Sequence, residues 1–479
     1  MIVIDGAWVV ADGQTRIGTV LVRDAKIAAV AWNDPDRAAL RAQATETVDG
    51  AGQWLMPGLI DGHAHAYGSL LRGTENSLPL ELWALHTTLH GRAIDGPALR
   101  SAILLGAAER IRAGITGAVD HSPNVALAQV SLAAHQASGL RIAFAPFLHD
   151  LSDYDLLNLP LPRALDALVG GPPPVDPDRY SNDFAALVQQ ARAGSGRVSI
   201  QLGPNAPQRC SPASWALWRD LRDRHDVAVH THLLETRAQR SLNRLYPGGL
   251  VAAMAQGGML EGRLTCAHGV WLAPAEMEAL ARHNVTVSHN PASNLMLGSG
   301  VLDFCRCGAC GLRVAIGNDS TNTGGRTDIF ANMRLAMMLP RRAEPDHAQW
   351  PNARSVFAAA TEGGAAALGL ADKLGKIAPG QLADLVLVRA HHPATLADLP
   401  SLDVLVQHAG PEHVRSVMVD GAWVMRDGVI LVFDEAQVLD EAANQAGLLR
   451  DRVADKLPVL LAALPALSAQ FLRCSASIP

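Results

Sequence analysis

The chain of 479 residues is poor in aromatic side chains, 4% of the total, and has no excess of cations, with 40 Lys and Arg against 46 Asp and Glu. A formal net charge of −6 and so few stacking rings argue against nucleic-acid binding, which needs a basic surface or aromatic platforms. No stretch approaches the roughly 20 uninterrupted apolar residues of a membrane span. The run Leu457 to Leu467 is short and broken by Pro465. The opening residues, with strand-like runs at Ile2 to Ile4 and Trp8 to Val10, lack the basic head and long apolar segment of a secretory signal, so a cytoplasmic location is expected. The six cysteines make no disulfide framework: Cys305, Cys307 and Cys310 crowd together while Cys210, Cys266 and Cys474 stand apart. The expected partners are therefore a small molecule and a second copy of the chain, as a homodimer.

The length allows two or three domains of about 150 residues, or one barrel with additions. Both ends read as short strands and turns, and Val417-Met418-Val419-Asp420-Gly421-Ala422-Trp423-Val424 echoes Ile2-Val3-Ile4-Asp5-Gly6-Ala7-Trp8-Val9. We read residues 1–56 and 373–433 as two parts of one β-sandwich domain assembled from both ends of the chain. Between them, residues 57–372 alternate short apolar runs with helical stretches such as Ala98 to Ala113, which has Pro97 near its start and Gly114 just past its end. Strands are expected at Leu59 to His65, Ile115 to His121, Arg141 to His149, Val198 to Gly203, Val227 to His232, Leu264 to His268, Val285 to His289 and Val314 to Asp319. Eight strands joined by helical crossovers predict an α/β fold, a (β/α)8 TIM barrel, whose C-terminal strand ends form the active-site face. Most of these ends carry His or Asp. Residues 434–479 read as a helical tail, Ala436 to Leu449 and Ala454 to Leu464, and Pro172-Pro173-Pro174 as a rigid loop of the rim.

His63 and His65 lie one residue apart at the end of the first expected strand, so their side chains share a face and make half a metal site. The fifth strand supplies His230 and His232; a mononuclear site needs only three or four ligands, so one of the pair stands behind the other, and His232, nearer the strand end, is the expected ligand. The eighth strand supplies Asp319. Three imidazoles and a carboxylate suit zinc or ferrous iron, not the oxygen cages of calcium or magnesium. A metal with an open position lowers the pKa of its water and favours hydrolysis. The proton traffic falls to Glu235, His268 and Asp319, the last also a ligand. A salt bridge from Glu235 to Arg237 or Arg240 is the plain alternative.

The ordered segments Pro57-Gly58-Leu59-Ile60-Asp61-Gly62-His63-Ala64-His65, His232-Leu233-Leu234-Glu235-Thr236, Ala267-His268, Ser288-His289-Asn290-Pro291-Ala292-Ser293-Asn294 and Gly317-Asn318-Asp319-Ser320 resemble the amidohydrolase superfamily. More narrowly, they are similar to its chlorohydrolase and aminohydrolase branch, with the cytosine, guanine, S-adenosylhomocysteine and s-triazine hydrolases. Lys376-Ile377-Ala378-Pro379-Gly380-Gln381-Leu382-Ala383-Asp384-Leu385-Val386 resembles that family's return into its β-domain. The resemblance implies one divalent metal, Zn2+ or Fe2+, on His63, His65, His232 and Asp319, with Glu235 and His268 as proton-transfer and electrophilic groups. Dinuclear relatives carry a carbamylated lysine at the end of the fourth strand; Val198 to Pro212 contains no lysine, which disfavours a second metal. Asn205 stands where many relatives have a substrate-holding histidine, and Asn318 where Thr or Ser is usual.

Trp83, less firmly Glu81, and Asn205 and His289 are candidate pocket residues, with a core tryptophan and a structural histidine as the alternatives. His121 and His149 read as hydrogen-bonded structural histidines. The cysteine cluster lacks a fourth partner for a soft metal and reads as packed or surface thiols. Gly257-Gly258 and Gly324-Gly325 read as turns. The expected activity is a metal-dependent hydrolase of non-peptide C–N bonds that deaminates an amino-substituted purine, pyrimidine or triazine. A hydrolase of amides, carbamates or ureas, or a dehalogenating one, would use the same residues, and a scaffold without activity is the alternative from another class.

Overall fold

The computed structural model describes residues 1–123, 125–172 and 174–476, with side chains to Arg473. Pro173 of the proline run and the thiol of Cys474 lie outside the described residues.

The central region is α/β. Leu59–Ala64, Ile115–Ser122, Arg141–Leu148, Val198–Ile200 and Gly203–Pro204 pair in parallel as a five-stranded sheet, and Val229–Leu233, Leu264–His268, Thr286–His289 and Arg313–Ile316 as a four-stranded parallel sheet. Isolated parallel bridges join the two sheets at both edges, Leu202 with Val229 and Ala64 with Asp319. The fourth expected strand is split, and the eighth stops at Ile316 rather than Asp319. Just past that end the backbone packs closely: a Cβ on Gly317 would lie 2.3 Å from Asn290 Oδ1 and 2.8 Å from the His63 backbone nitrogen. Helices fill the crossovers, as parallel pairing demands. Gly96–Arg112 opens where the Asp95 side chain accepts the Ala98 amide; its Ala107 and Ile111 are buried with the strand residues of the main core, and Leu99 and Ile103 in a second cluster with Ala66, Tyr67 and Leu71.

Strands from both ends of the chain share one nine-stranded sheet: Ile2–Ala11 pairs with Gln14–Arg23, Glu46–Asp49 and Gln53–Pro57, and the last of these pairs with Leu385–Arg389, which leads on to Val414–Val419. Ile4, Val9, Val20, Leu55, Leu385 and Met418 form its core. The two echoing segments fold differently. Asp5-Gly6 makes a bulge inside one continuous strand, with only Gly6 left-handed at φ 73°. Asp420-Gly421, at φ 56° and 76°, turns the chain back into Ala422–Arg426 as a hairpin.

Arg141, the first residue of the third parallel strand, ties this sheet to the central region. Its guanidinium donates to both Asp384 oxygens and to Asp420 Oδ1, each at 2.9 Å, with the Arg141 and Asp384 side chains 6% and 0% exposed. The anchor therefore lies at the N-terminal ends of the parallel strands, away from the histidine-bearing ends.

The tail forms helices Glu435–Val453 and Leu457–Ala476. The second runs straight through Pro465, where the sequence predicted an end. An internal proline costs a helix about 3 kcal/mol; Leu460 and Leu467, buried against Leu82, Leu85, Leu89, Leu165 and Val169, offset it. Among the described residues no single helix is long and apolar enough to cross a membrane.

Candidate active site

The histidine-bearing strand ends converge. Asp319 donates its backbone N–H to the His63 carbonyl at 2.8 Å, which brings the last parallel strand beside the first. Its Oδ1 then lies 3.6 Å from His63 Nε2 and 3.4 Å from His65 Nε2, and His232 Nε2 is 3.3 Å from His65 Nε2. The far side of each ring is held by protein: His65 Nδ1–H donates to the His121 carbonyl, His232 Nδ1–H to the Asn205 carbonyl at 2.6 Å, and His63 Nδ1 shares a hydrogen bond with His230 Nε2 at 2.7 Å. Carbonyls behind His65 and His232 set their tautomers and leave the Nε2 lone pairs facing inward.

These residues fit a metal. His63 Nε2 is buried with no hydrogen-bond partner. Burial, reinforced by the neighbouring imidazoles, holds His63 and His232 well below the usual histidine range, so both are neutral donors. Ligand atoms about 2.1 Å from a tetrahedral ion stand about 3.4 Å apart, close to the spacings found here. His63, His268 and Asp319 form one metal-competent group, and His63, His121 and His232 another. His121 was expected to be structural. Its Nε2–H does donate to the Gly203 carbonyl at 3.2 Å, yet its Nδ1 is buried without a partner and its ring stands 4.7 Å from that of His232. His230 is fully buried behind His63, stacked at 5.0 Å and pushed down to about 3 by burial and neighbouring imidazoles.

Glu235 and His268 complete the cluster. Glu235 is 4% exposed, and its Oε1 lies 3.7 Å from His268 Nδ1. Burial, then the negative charges of Asp319 and Glu81, raise its pKa well above the ordinary carboxyl value, which favours the protonated form in the metal-free site. Arg240 does not pair with it; that guanidinium binds Glu276 at 2.6 Å. His268 Nδ1 faces Asn294 Oδ1 at 2.9 Å and Asn290 Nδ2 at 3.3 Å, and its Nε2 is 3.9 Å from Asp319 Oδ2, which also accepts the Ser293 hydroxyl at 2.6 Å. Leu234, His268 and Asp319 have left-handed φ values of 46°, 75° and 63°. Such conformations cost of order 1–3 kcal/mol each and persist where surrounding structure imposes them, typically at functional sites.

A cavity of about 620 Å3 opens over this floor. Trp83, Glu81, Asn205 and His149 line it, and His289 does not. His289 is 1% exposed, and neither ring nitrogen has a partner. Arg209 and Asp153 also line the cavity; they come from the short helical turns Pro207–Arg209 and Asp153–Leu156 that follow strands, and had no signal in the sequence. Cys305, Cys307 and Cys310 lie on the helix Phe304–Cys310 as free thiols, and among the described residues none joins a metal-competent group.

The Amidohydrolase family profile matches residues 54–424. The 5′-deoxyadenosine deaminase of Methanothermobacter thermautotrophicus is 30% identical over 451 residues, 93% of this chain and 98% of the relative. The 5-methylthioadenosine/S-adenosylhomocysteine deaminase of Desulforudis audaxviator is 33% identical over 418 residues, 86% of this chain and 90% of the relative. Among solved structures, an adenosine deaminase from Xanthomonas campestris with bound zinc superposes with a TM-score of 0.83 at 27% identity, covering 94% of this chain and 98% of that one. Atrazine chlorohydrolase from Arthrobacter aurescens TC1, complexed with zinc, shares the fold with a TM-score of 0.81 at 22% identity, covering 93% and 100%. With that profile spanning most of its length, the chain belongs to the amidohydrolase family and is a hydrolytic enzyme acting on C–N bonds.

Proposed function

We propose that this enzyme is a zinc-dependent deaminase of 6-aminopurine nucleosides. The observation that carries the reading is the position of the Asp319 carboxylate, within 3.6 Å of His63 and His65 Nε2 on a cavity floor that also presents His232, Glu235 and His268. Deaminases of adenosine analogues among the relatives supply the substrate class. The two parallel sheets, bridged at both edges, are read as one (β/α)8 barrel over 57–372. The nine-stranded sheet is read as a β-sandwich from 1–56 and 373–433, with 434–479 as a helical appendage.

His63, His65, His232 and Asp319 would hold the metal. When bound, a divalent ion supplies Lewis-acid activation that lowers the pKa of water towards neutrality. The chain's own residues do the rest. Asp319 divides its oxygens, Oδ1 towards His63 and His65 and Oδ2 towards Ser293 and His268, so one oxygen can ligate while the other takes a proton from the attacking water. Glu235 hands its proton to the ring nitrogen beside the attacked carbon and takes one back from the hydroxyl left on that carbon, while Asp319 passes on the proton it took from water to the exocyclic nitrogen, which leaves as ammonia as the C–N bond breaks. His268, in the tautomer whose Nδ1 accepts from Asn290 Nδ2, carries its proton on Nε2 and polarises the substrate from there. Trp83 and Asn205 wall the substrate in. The cavity volume falls within the roughly 300–1,000 Å3 that encloses ligands larger than a free base.

Incubating metal-replete protein with adenosine, 5′-deoxyadenosine, linear amides and ureas, then measuring ammonia and product mass, tests the reading. Conversion of the nucleosides to hypoxanthine products supports it. Turnover of the amides or ureas alone overturns it. Dehalogenation has only a likeness of fold behind it. Metal analysis separates a catalyst from a scaffold, which would bind no ion on reconstitution.

A further inference from the structure

The helix Leu80–Ala93 carries one wall of the cavity and has two working faces. Glu81, Trp83, Ala84, Thr87 and Thr88 line the cavity, whereas Leu82, Leu85 and Leu89, three and four residues apart, share the opposite face. Those three leucines are buried with Leu165 and Val169 of the helix Arg163–Val169 and with Leu460 and Leu467 of the last helix, Leu457–Ala476. Val169 also lines the cavity. Among the described residues this cluster includes none from a parallel strand. Polar contacts follow the same arrangement. Tyr154 Oη donates to the Glu81 carbonyl at 2.8 Å, Arg92 to the Leu168 carbonyl at 2.8 Å and to the Gly170 carbonyl, and Gln470 of the last helix to the Asn158 carbonyl at 3.2 Å. The tail helix before it, Glu435–Val453, ends at the same place: Arg452 Nη2 donates to Asp95 Oδ2 at 2.6 Å and Nη1 to the Ala93 carbonyl at 3.3 Å. The floor is held differently, His65 and His232 being backed by the His121 and Asn205 carbonyls.

A helix with no strand under its apolar face keeps its place through whatever covers that face, because most helical stability comes from packing of the apolar side. Here the cover is the far end of the chain. We propose that the C-terminal helix is a clamp on the active site: through Leu460 and Leu467 it positions the wall that bears Trp83 and Glu81, and so sets how tightly substrate is held. Leu460 and Leu467 are positioning residues that act through Leu82, Leu85 and Leu89 and touch none of the groups that move protons. That the wall holds a nucleoside rests on the proposed function; the clamping of the wall does not.

The test combines Leu460→Ala with Leu467→Ala in the full-length, metal-replete protein, which opens space beneath the three leucines. Misplacing the wall raises KM for adenosine by about tenfold or more while kcat stays within about threefold, the pattern of binding lost equally from ground and transition states. Bound zinc is unchanged. Backbone hydrogen exchange rises over 80–93 and 163–169 and not over 57–65 or 229–235. Leu460→Met with Leu467→Met, which conserves volume, keeps the wild-type KM. Leu467→Ala alone replaces the double alanine variant should that protein not fold. Unchanged exchange over 80–93, or raised exchange with an unmoved KM, overturns the clamp. So does a loss of kcat or of bound zinc as large as the rise in KM, which marks a general loosening of the fold. A wild type that turns over no nucleoside overturns the deaminase reading, and exchange over 80–93 then decides the clamp by itself.

Discussion

Glu235→Gln should separate catalysis from stability, because the same burial that makes the carboxyl a proton carrier makes it a thermodynamic burden. The side chain is 4% exposed, faces His268 Nδ1 at 3.7 Å, and is flanked by the charges of Asp319 and Glu81, which together with burial raise its pKa. In the unfolded chain a glutamate titrates near 4.3. Above that pH the unfolded state releases a proton that the folded, metal-free state keeps, so wild-type stability falls as pH rises until the folded group also ionises. Glutamine has the same shape, does not titrate and leaves the backbone hydrogen bond from Glu235 to Gln239 in place. It should stabilise the chelated protein by about 0.5–2 kcal/mol at pH 7.5, with the gain vanishing towards pH 4. The same change should lower kcat by about 10²–10⁴-fold, the usual contribution of a positioned acid–base group, equivalent to about 2.7–5.4 kcal/mol of barrier. Urea unfolding of both chelated proteins at the two pH values and steady-state kinetics on the metal-replete forms measure the two effects. A kcat within a few-fold of wild type would refute the proton-carrying role, and a stability difference of opposite sign or independent of pH would refute the burial argument.

Asp319→Ala should abolish turnover with the fold intact and lower bound zinc, read by circular dichroism and metal analysis; a wild-type rate removes Asp319 from the mechanism. Arg141→Met leaves Asp384 buried without its cation and should cost about 3–5 kcal/mol of stability in denaturant unfolding, as breaking one side of a buried pair does. Burial pushes the thiols of Cys210, Cys266 and Cys307 up, so alkylation of the native protein at pH 8, mapped by mass spectrometry, should mark the half-buried Cys305 and Cys310 before any of these three.

Much of the site was legible because it rests on local rules. His63 and His65 share a face through the period of a strand, and His232, His268 and Asp319 stand at or just past the ends of strands whose apolar runs mark them. The alternation of strands with helices was sufficient to bring those ends to one side. What stayed hidden depends on contacts between distant segments. His121 faces the imidazoles because the second strand lies beside the first; His289, on an equally plausible strand end, does not line the cavity; and Arg209 meets Asp153 across two short helical turns too brief to carry a periodic pattern.

The echoed segments mark the boundary most clearly. Composition and spacing alone determined that both would be β-structure with an Asp-Gly break, since each alternates apolar residues around a pair that tolerates left-handed backbone. Whether the break becomes a bulge or a hairpin was decided by the partners: Ile2–Ala11 runs on because Gln14–Arg23 pairs with both of its halves, whereas Val414–Val419 turns back to pair with Ala422–Arg426. Backbone hydrogen bonds between strands are long-range, so their assignment is a property of the folded chain and not of the eight residues that repeat.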